Sequence, residues 1–380
     1  MKVALQVAAN FGGTGLGYIS YQAALGIRNA GMLARVTCTS HEKTDICDDI
    51  ITDVPSVGAL SLIVPRRIAN RLGTDGLLRQ NYFGFVASRK CRGCDIVHGY
   101  TGQMLETIRA AKRSGAHCVV DRPNTHVNFL KRALESEHKK YGVSFAPYRA
   151  SQIRRETEEL RDCDAIVTCS EFARQTMITE GLDEEKIHVV PYGVDLDLFT
   201  PQPRDDDVFR VVFVGLICLR KGVQYLLEAW EHLALQDAEL ILRGHLLDDA
   251  VGVINHYRKR CRFAIRPHTD NMEDLRRLYN SASICVFPSV EDGFGMVVTE
   301  AMACNRPVLV TEHMGAADIV VDGVDGFIVP PANAETIKER IHYLYQNRSS
   351  SLGRHGRERV AGLTWDAYRA GLLSVYEKLT

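Results

Sequence analysis

PSVEDGFGMVVTEAMACNRP, residues 288–307, decides the fold class of this chain. The apolar run ahead of it, residues 284–287, reads as a short buried strand. The stretch opens on a glycine-punctuated turn, Glu291-Asp292-Gly293-Phe294-Gly295. A helix-forming run follows from Met296 to Ala303 and closes at Asn305 before Pro307. Asp292 stands in the turn and Glu300 eight residues on, about two helical turns further. Between them lie the unpaired amides of a helix start, which attract anions. Two carboxylates around such a nest suit a ligand that carries both hydroxyls and phosphates. A ligand-free acidic surface turn is the competing reading of the carboxylates alone.

Strand and helix patterns alternate on both sides of this unit. Residues 3–7 read as a strand, residues 10–17 as a glycine-rich loop containing Gly12 and Gly13, and the next residues to about Ala30 as a helix. Strand patterns recur at residues 34–39, 95–98, 117–120, 165–168 and 187–190. Residues 191–207, rich in proline, glycine and charge, read as a linker. A second alternation has strands at residues 209–215, 239–242, 263–266, 284–287 and 307–310. The pattern predicts an α/β chain of two doubly wound halves with ligands at the strand C-termini. Residues 364–380 form an amphipathic helix pattern with Trp365, Tyr368 and Leu372.

The balance of 46 Lys+Arg against 47 Asp+Glu in 380 residues argues against nucleic acid as the main partner. The nearest approach to a membrane span is the apolar run 57–65, well short of the roughly 20 residues needed. MKVALQVAAN reads as a first strand and not as a signal peptide, so a cytoplasmic location with reduced thiols is expected. The eleven cysteines are scattered; Cys91-x-x-Cys94, with His98 nearby, has no second pair to complete a four-ligand site. No metal and no cofactor are expected. The loop Gly12–Gly17 fits G-x-G-x-x-G in neither register, since Tyr18 or Ser20 falls on the last position.

The acidic stretch closely resembles the signature of the retaining glycosyltransferases of family 4: Glu, seven residues, Glu, with Gly-Phe-Gly after the first. Asp292 takes the first acidic position, one methylene shorter, with Glu291 beside it as the alternative donor-binding carboxylate, and Glu300 takes the second. The resemblance implies the GT-B fold: two Rossmann-like domains, residues 1–200 and 201–362, facing a cleft, with residues 363–380 crossing back onto the first domain. It implies that Glu300 holds the ribose of a nucleotide sugar and Asp292 lies against the transferred sugar. Lys221, six residues after Gly215, matches the lysine of the family's Gly-Arg…Lys pattern, while Leu216 replaces the arginine. Arg220 is the candidate second charge. Lys221, the amides of Gly293, Phe294, Gly295, Met296 and Val297, and the Gly12-Gly13 loop would hold a diphosphate. His245, Pro267 and His268, at the ends of two strands, lie where the family meets the base. A glycine-rich turn at residues 315–318 followed by an acidic hairpin at residues 322–329 resembles the family's closing pattern.

The implied reaction is transfer of a sugar from a nucleoside diphosphate sugar to an acceptor hydroxyl with retention. Glycan, glycolipid or small-molecule acceptors are all open. Acceptor-side candidates are Asp121, which stands where the family often has His, and His126 in the following loop. The basic and aromatic stretch 131–155 reads either as a solvated helical face or as peripheral contact with a membrane's inner face. The competing functional classes are a sugar-nucleotide-binding protein without catalysis and a GT-B-fold phosphorylase or epimerase.

Overall fold

A computed structural model of the chain describes residues 1–54, 74–144, 148–348 and 351–380. The apolar run 57–65 and Phe145 of the basic stretch lie outside the described residues. Every strand with an apolar run finds parallel partners on both sides or closes an edge. The first sheet has the order β3-β2-β1-β4-β5-β6-β7. Its strands are β1 (Val3–Phe11), β2 (Leu33–His41), β3 (Ile51–Asp53), β4 (Ile96–Tyr100), β5 (His117–Arg122), β6 (Ala165–Thr168) and β7 (Ile187–Val189). The second has the order β10-β9-β8-β11-β12-β13. Its strands are β8 (Phe209–Val214), β9 (Ala238–Arg243), β10 (Ala264–Arg266), β11 (Ile284–Phe287), β12 (Val308–Thr311) and β13 (Gly326–Val329). All pairings are parallel, as expected of strands that are apolar on both faces.

The strand order reverses between β1 and β4 in the first sheet and between β8 and β11 in the second. Ligands of open α/β sheets bind at such switch points. Here the loops that leave them are the glycine loop after β1, the 215–222 segment after β8 and the acidic turn after β11. The expected hairpin at residues 322–329 is absent. Val308–Thr311 pairs in parallel with Gly326–Val329, so β13 extends the sheet as an edge strand. The glycine-rich turn before it becomes a short helical turn, Gly315–Asp318.

Helices cover both faces of each sheet. In the first lobe these are α1 (Leu16–Asn29), α2 (Thr74–Lys90), α3 (Leu105–Ser114), α4 (Val127–Lys140), α5 (Ala150–Asp162) and α6 (Glu171–Thr179). In the second they are α7 (Val223–Leu233), α8 (Val251–Tyr257), α9 (Met272–Ser281), α10 (Met296–Ala303), α11 (Ala334–Gln346) and α12 (Gly356–Val360). The last helix, α13 (Trp365–Glu377), returns to the first lobe. Its Trp365, Tyr368, Leu372, Val375 and Tyr376, spaced along one face, share a core with Val3, Leu5 and Val7 of β1 and Ile19 and Ile27 of α1. Val194 and Phe199, ahead of the second sheet, pack into the second lobe's core with Val212 and Tyr279. Among the described residues no helix is long and apolar enough to cross a membrane.

The basic and aromatic stretch lies on α4 and α5, and part of it is turned inward. The ring of Phe129 meets Phe172 at 5.6 Å and the second lobe's His313 at 5.2 Å. Tyr141 meets Tyr225 of α7 at 6.3 Å, and Arg155 is buried in ion pairs with Glu106 and Glu159. These side chains serve packing between elements, Arg155 while buried and Phe129 and Tyr141 while half-buried.

Candidate functional site

Lys221 ends a helical turn, Leu219–Lys221, which Gly222 closes in the left-handed region at φ 70°. A Cβ at Gly222 would lie 1.8 Å from the carbonyl oxygen of Pro288, so only glycine fits. That close approach sets the turn after β8 against the first residue of the acidic stretch. Lys221 Nζ thereby forms an ion pair with Asp292 Oδ2. Burial works against ionisation of Asp292, but Lys221 and Arg220 outweigh it and hold the carboxyl below its ordinary range. The Asp292 backbone is clamped as well: its N–H donates to the His313 carbonyl at 2.9 Å, and its own carbonyl accepts from Gly315 at 3.0 Å.

Lys221 and Asp292 line a cavity of about 250 Å³ between the lobes. The second lobe adds Gly215, Phe294, Gly295, Met296 and Val297, so the cavity meets the start of α10. The first lobe adds Ile19 of α1 and Pro123 of the loop after β5, and the linker adds Tyr192. The site therefore combines a cation, a carboxylate and the N-terminus of an eight-residue helix. Glu300 follows Met296 by one turn on α10 and is half-buried. Tyr279 Oη donates to its Oε2 at 2.7 Å, and desolvation pushes its carboxyl up to about 7. Glu300 Oε1 has no protein partner among the described residues.

Other residues singled out in the sequence lie elsewhere. Arg220 Nε donates to Glu291 Oε2 at 2.7 Å and its Nη2 to Asn124 Oδ1 at 2.9 Å, so its charge is committed to a carboxylate beside the cavity. Gly12 and Gly13 abut Glu42 and Thr44 or Asn10, and from that end of the lobe it is Ile19 that reaches the cavity. His126 caps α4: its Nδ1 accepts from the Asn128 amide at 3.2 Å, and burial drives its pKa down to about 4. Asp121 is 1% exposed and faces His98, Tyr100, Tyr192, Tyr368 and Tyr376 under α13. The loop after β5 thus delivers Pro123 to the cavity, while Asp121 and His126 sit apart from it. His245 and His268 do come together, with ring centroids 4.7 Å apart at the exposed ends of β9 and β10; Pro267 beside them is exposed too. His268 Nε2 lies 3.0 Å from Asp270 Oδ1.

Cys91 is buried, Cys94 partly so, and both are free thiols; the ring of His98 is turned to Tyr376. Among the described residues, the side chains close enough to share an ion are Cys38, His41 and Asp53. Hydrogen bonds already join them, at 3.2 Å from Cys38 Sγ and 2.9 Å from His41 Nδ1 to Asp53 Oδ1. Tyr279 carried no signal in the sequence, because a tyrosine on an amphipathic helix reads as core, which it also is.

Known proteins share both the sequence pattern and the architecture. The family description "Glycosyltransferase Family 4" matches residues 24–198, and "Glycosyl transferases group 1" matches residues 208–347. A D-inositol 3-phosphate glycosyltransferase of Xylanimonas cellulosilytica is 30% identical over 242 residues, 57% of this chain and 57% of that one. An uncharacterised glycosyltransferase of Methanocaldococcus jannaschii is 29% identical over 227 residues, 57% of this chain and 60% of that one. The match thus spans less than two thirds of the length of these relatives. Among solved structures, sucrose-phosphate synthase of Thermosynechococcus elongatus has a TM-score of 0.73 at 20% identity, covering 100% of this chain and 99% of that one. Anabaena HepE in complex with UDP has a TM-score of 0.72 at 14% identity, covering 100% of both chains. With both lobes matched in sequence and the two parallel sheets matched in space, the chain belongs to the family 4, group 1 glycosyltransferases and has the GT-B fold.

Proposed function

We propose that this protein transfers a sugar from a nucleoside diphosphate sugar to an acceptor hydroxyl with retention at the anomeric carbon. The observation that carries the reading is the Lys221–Asp292 pair on a cavity between the lobes, beside the start of α10. Lys221 and the α10 amides supply positive potential for a diphosphate as negative charge develops on it. In this reading Glu300, one turn along α10 from the cavity-lining Met296, accepts from ribose hydroxyls through Oε1. Asp292, held ionised, faces an electron-poor sugar carbon and steadies it. In a same-face displacement the bond from the anomeric carbon to the phosphate oxygen breaks while the acceptor oxygen bonds to that carbon. The acceptor proton passes to the departing phosphate oxygen. The names of the relatives support sugar transfer as the reaction class, and the UDP held by the HepE structure makes a nucleotide sugar the natural donor.

The test compares wild type with Lys221→Ala and Glu300→Ala in donor hydrolysis and transfer across a panel of sugar nucleotides and acceptors. UDP-glucose, present in another HepE complex, heads the panel. Lys221→Ala is expected to lower kcat by about 100-fold or more, as for loss of one preorganised electrostatic contact. Glu300→Ala is expected to raise the donor KM about 10-fold. Equal and negligible turnover by all three proteins would sink the enzyme and leave a sugar-nucleotide binder. A thermal-shift screen of nucleoside diphosphates identifies the base, because ligands that bind only the folded state stabilise it.

A further inference from the structure

Glu291, next to the cavity carboxylate, does a different job. It is fully buried, and its side chain is not on the cavity wall. Its Oε2 accepts from Arg220 of its own lobe at 2.7 Å. Its Oε1 accepts from Thr125 of the first lobe, at 2.6 Å from the hydroxyl and 3.3 Å from the amide. Arg220 then reaches across to Asn124 at 2.9 Å. One carboxylate therefore joins the loop after β5 to the turn after β11, with both its oxygens used. A buried pair of this kind is costly to break, because removing one partner leaves the other uncompensated.

The position of this knot gives it a consequence for the reaction. Pro123 and Asp292 face the same cavity from opposite lobes, and each lies within two residues of a member of the knot. The donor carboxylate and the acceptor lobe's nearest loop are thus registered in part through the Glu291 side chain. We propose that Glu291, gripped by Arg220 and Thr125, is a positioning residue that sets the 123–125 loop against Asp292 and so fixes the approach of the acceptor hydroxyl to the donor sugar. The assignment rests on the cavity being the donor site. It predicts an effect on transfer that is separable from donor binding, because Thr125 itself does not line the donor side.

The test uses the full chain with Thr125→Val, Thr125→Ser, Glu291→Gln and the Thr125→Val/Glu291→Gln pair. Nucleoside diphosphate affinity is measured by calorimetry and transfer by steady-state kinetics. Thr125→Val is expected to leave the diphosphate Kd within about 2-fold while kcat for transfer falls about 10- to 100-fold, the range for a displaced reacting pair. Thr125→Ser, which keeps the hydroxyl, is expected to recover most of the rate. The double variant is expected to be no slower than Glu291→Gln alone, since both changes break one contact. Transfer by Thr125→Val at the wild-type rate, parallel loss of Kd and kcat, or additive effects would each overturn the assignment while the donor site stands. A wild type that binds no nucleoside diphosphate overturns the donor site itself and this assignment with it.

Discussion

Asp121 ends in a place that no charged group chooses: 1% exposed, with neither carboxylate oxygen hydrogen-bonded. His98 Nε2 stands 4.0 Å from it, and the hydroxyls of Tyr100, Tyr192 and Tyr368 nearby are likewise unpartnered. Burial pushes its carboxyl up to about 8, and burial drives His98 down to about 3, so both groups are neutral at pH 7. An unfolded Asp titrates near ~3.9, so the native chain keeps a proton that the unfolded chain gives up. The Asp121 contribution to stability is then lost as pH rises from ~4 to about 8, with a slope of up to ~1.4 kcal/mol per unit, while His98, kept neutral by burial, contributes the opposite slope below ~6.5. Asp121→Asn, which has no proton to lose, should match wild type near the bottom of that window and gain on it with each unit upward. Melting curves at stepped pH check this, and a constant gap between the two proteins would mean that Asp121 is ionised in the fold. Legibility differed from residue to residue. Lys221, Asp292 and Glu300 were readable because each sits at a fixed offset within one strand–turn–helix unit. The contact of Glu291 with Thr125 spans 166 residues and two lobes, and no local spacing announces such a pair.

The crossover helix α13 shows how an element can be legible while its purpose is not. Trp365, Tyr368 and Leu372 gave it away as amphipathic, and Thr364, whose hydroxyl accepts from the Ala367 amide at 3.1 Å, marks its start. Its polar contact inside the first lobe was hidden: Tyr376 Oη and His98 Nδ1 lie 2.7 Å apart, both fully buried. Tyr376→Phe keeps the ring packing and orphans that histidine nitrogen. The expected loss is about 1–3 kcal/mol, the penalty for a buried polar group left unsatisfied. Leu372→Ala on the same face, a pure packing change, is expected to cost about 2–5 kcal/mol. Urea titrations followed by far-UV circular dichroism compare the two. A Tyr376→Phe midpoint equal to wild type would show that the hydrogen bond contributes nothing to anchoring the helix. The edge strands β3 and β13 were the elements the sequence concealed. Ile51–Asp53 is only three residues long, and Gly326–Val329 follows glycine and aspartate so closely that it imitates a turn.

The two lobes are held together by side chains of both. Ser170 Oγ donates to the Gly293 carbonyl at 2.7 Å, and Asp318 accepts from the amides of Glu171 and Phe172 at the start of α6, at 2.6 and 3.3 Å. Further along the seam, Tyr225 Oη donates to Glu137, 2.8 Å from each of its oxygens. Gly293 sits where the lobes approach closely: a Cβ there would be 2.1 Å from the Pro123 carbonyl oxygen and 2.7 Å from Asn124 Cα. Both neighbours are backbone, so neither can swing aside. Gly293→Ala therefore adds one methyl group that the closed molecule cannot accept, without altering any side chain on the cavity. Each lobe keeps its own sheet and core, so the variant should fold and the strain should appear as separation of the lobes. Small-angle scattering of the Gly293→Ala protein should show a larger radius of gyration than wild type at the same secondary-structure content. Transfer should fall by about 10-fold or more, because a misplacement of about 1 Å between reacting groups already has effects of that size. Wild-type turnover together with wild-type scattering would mean that the turn yields locally, and that the lobes do not depend on this contact to meet.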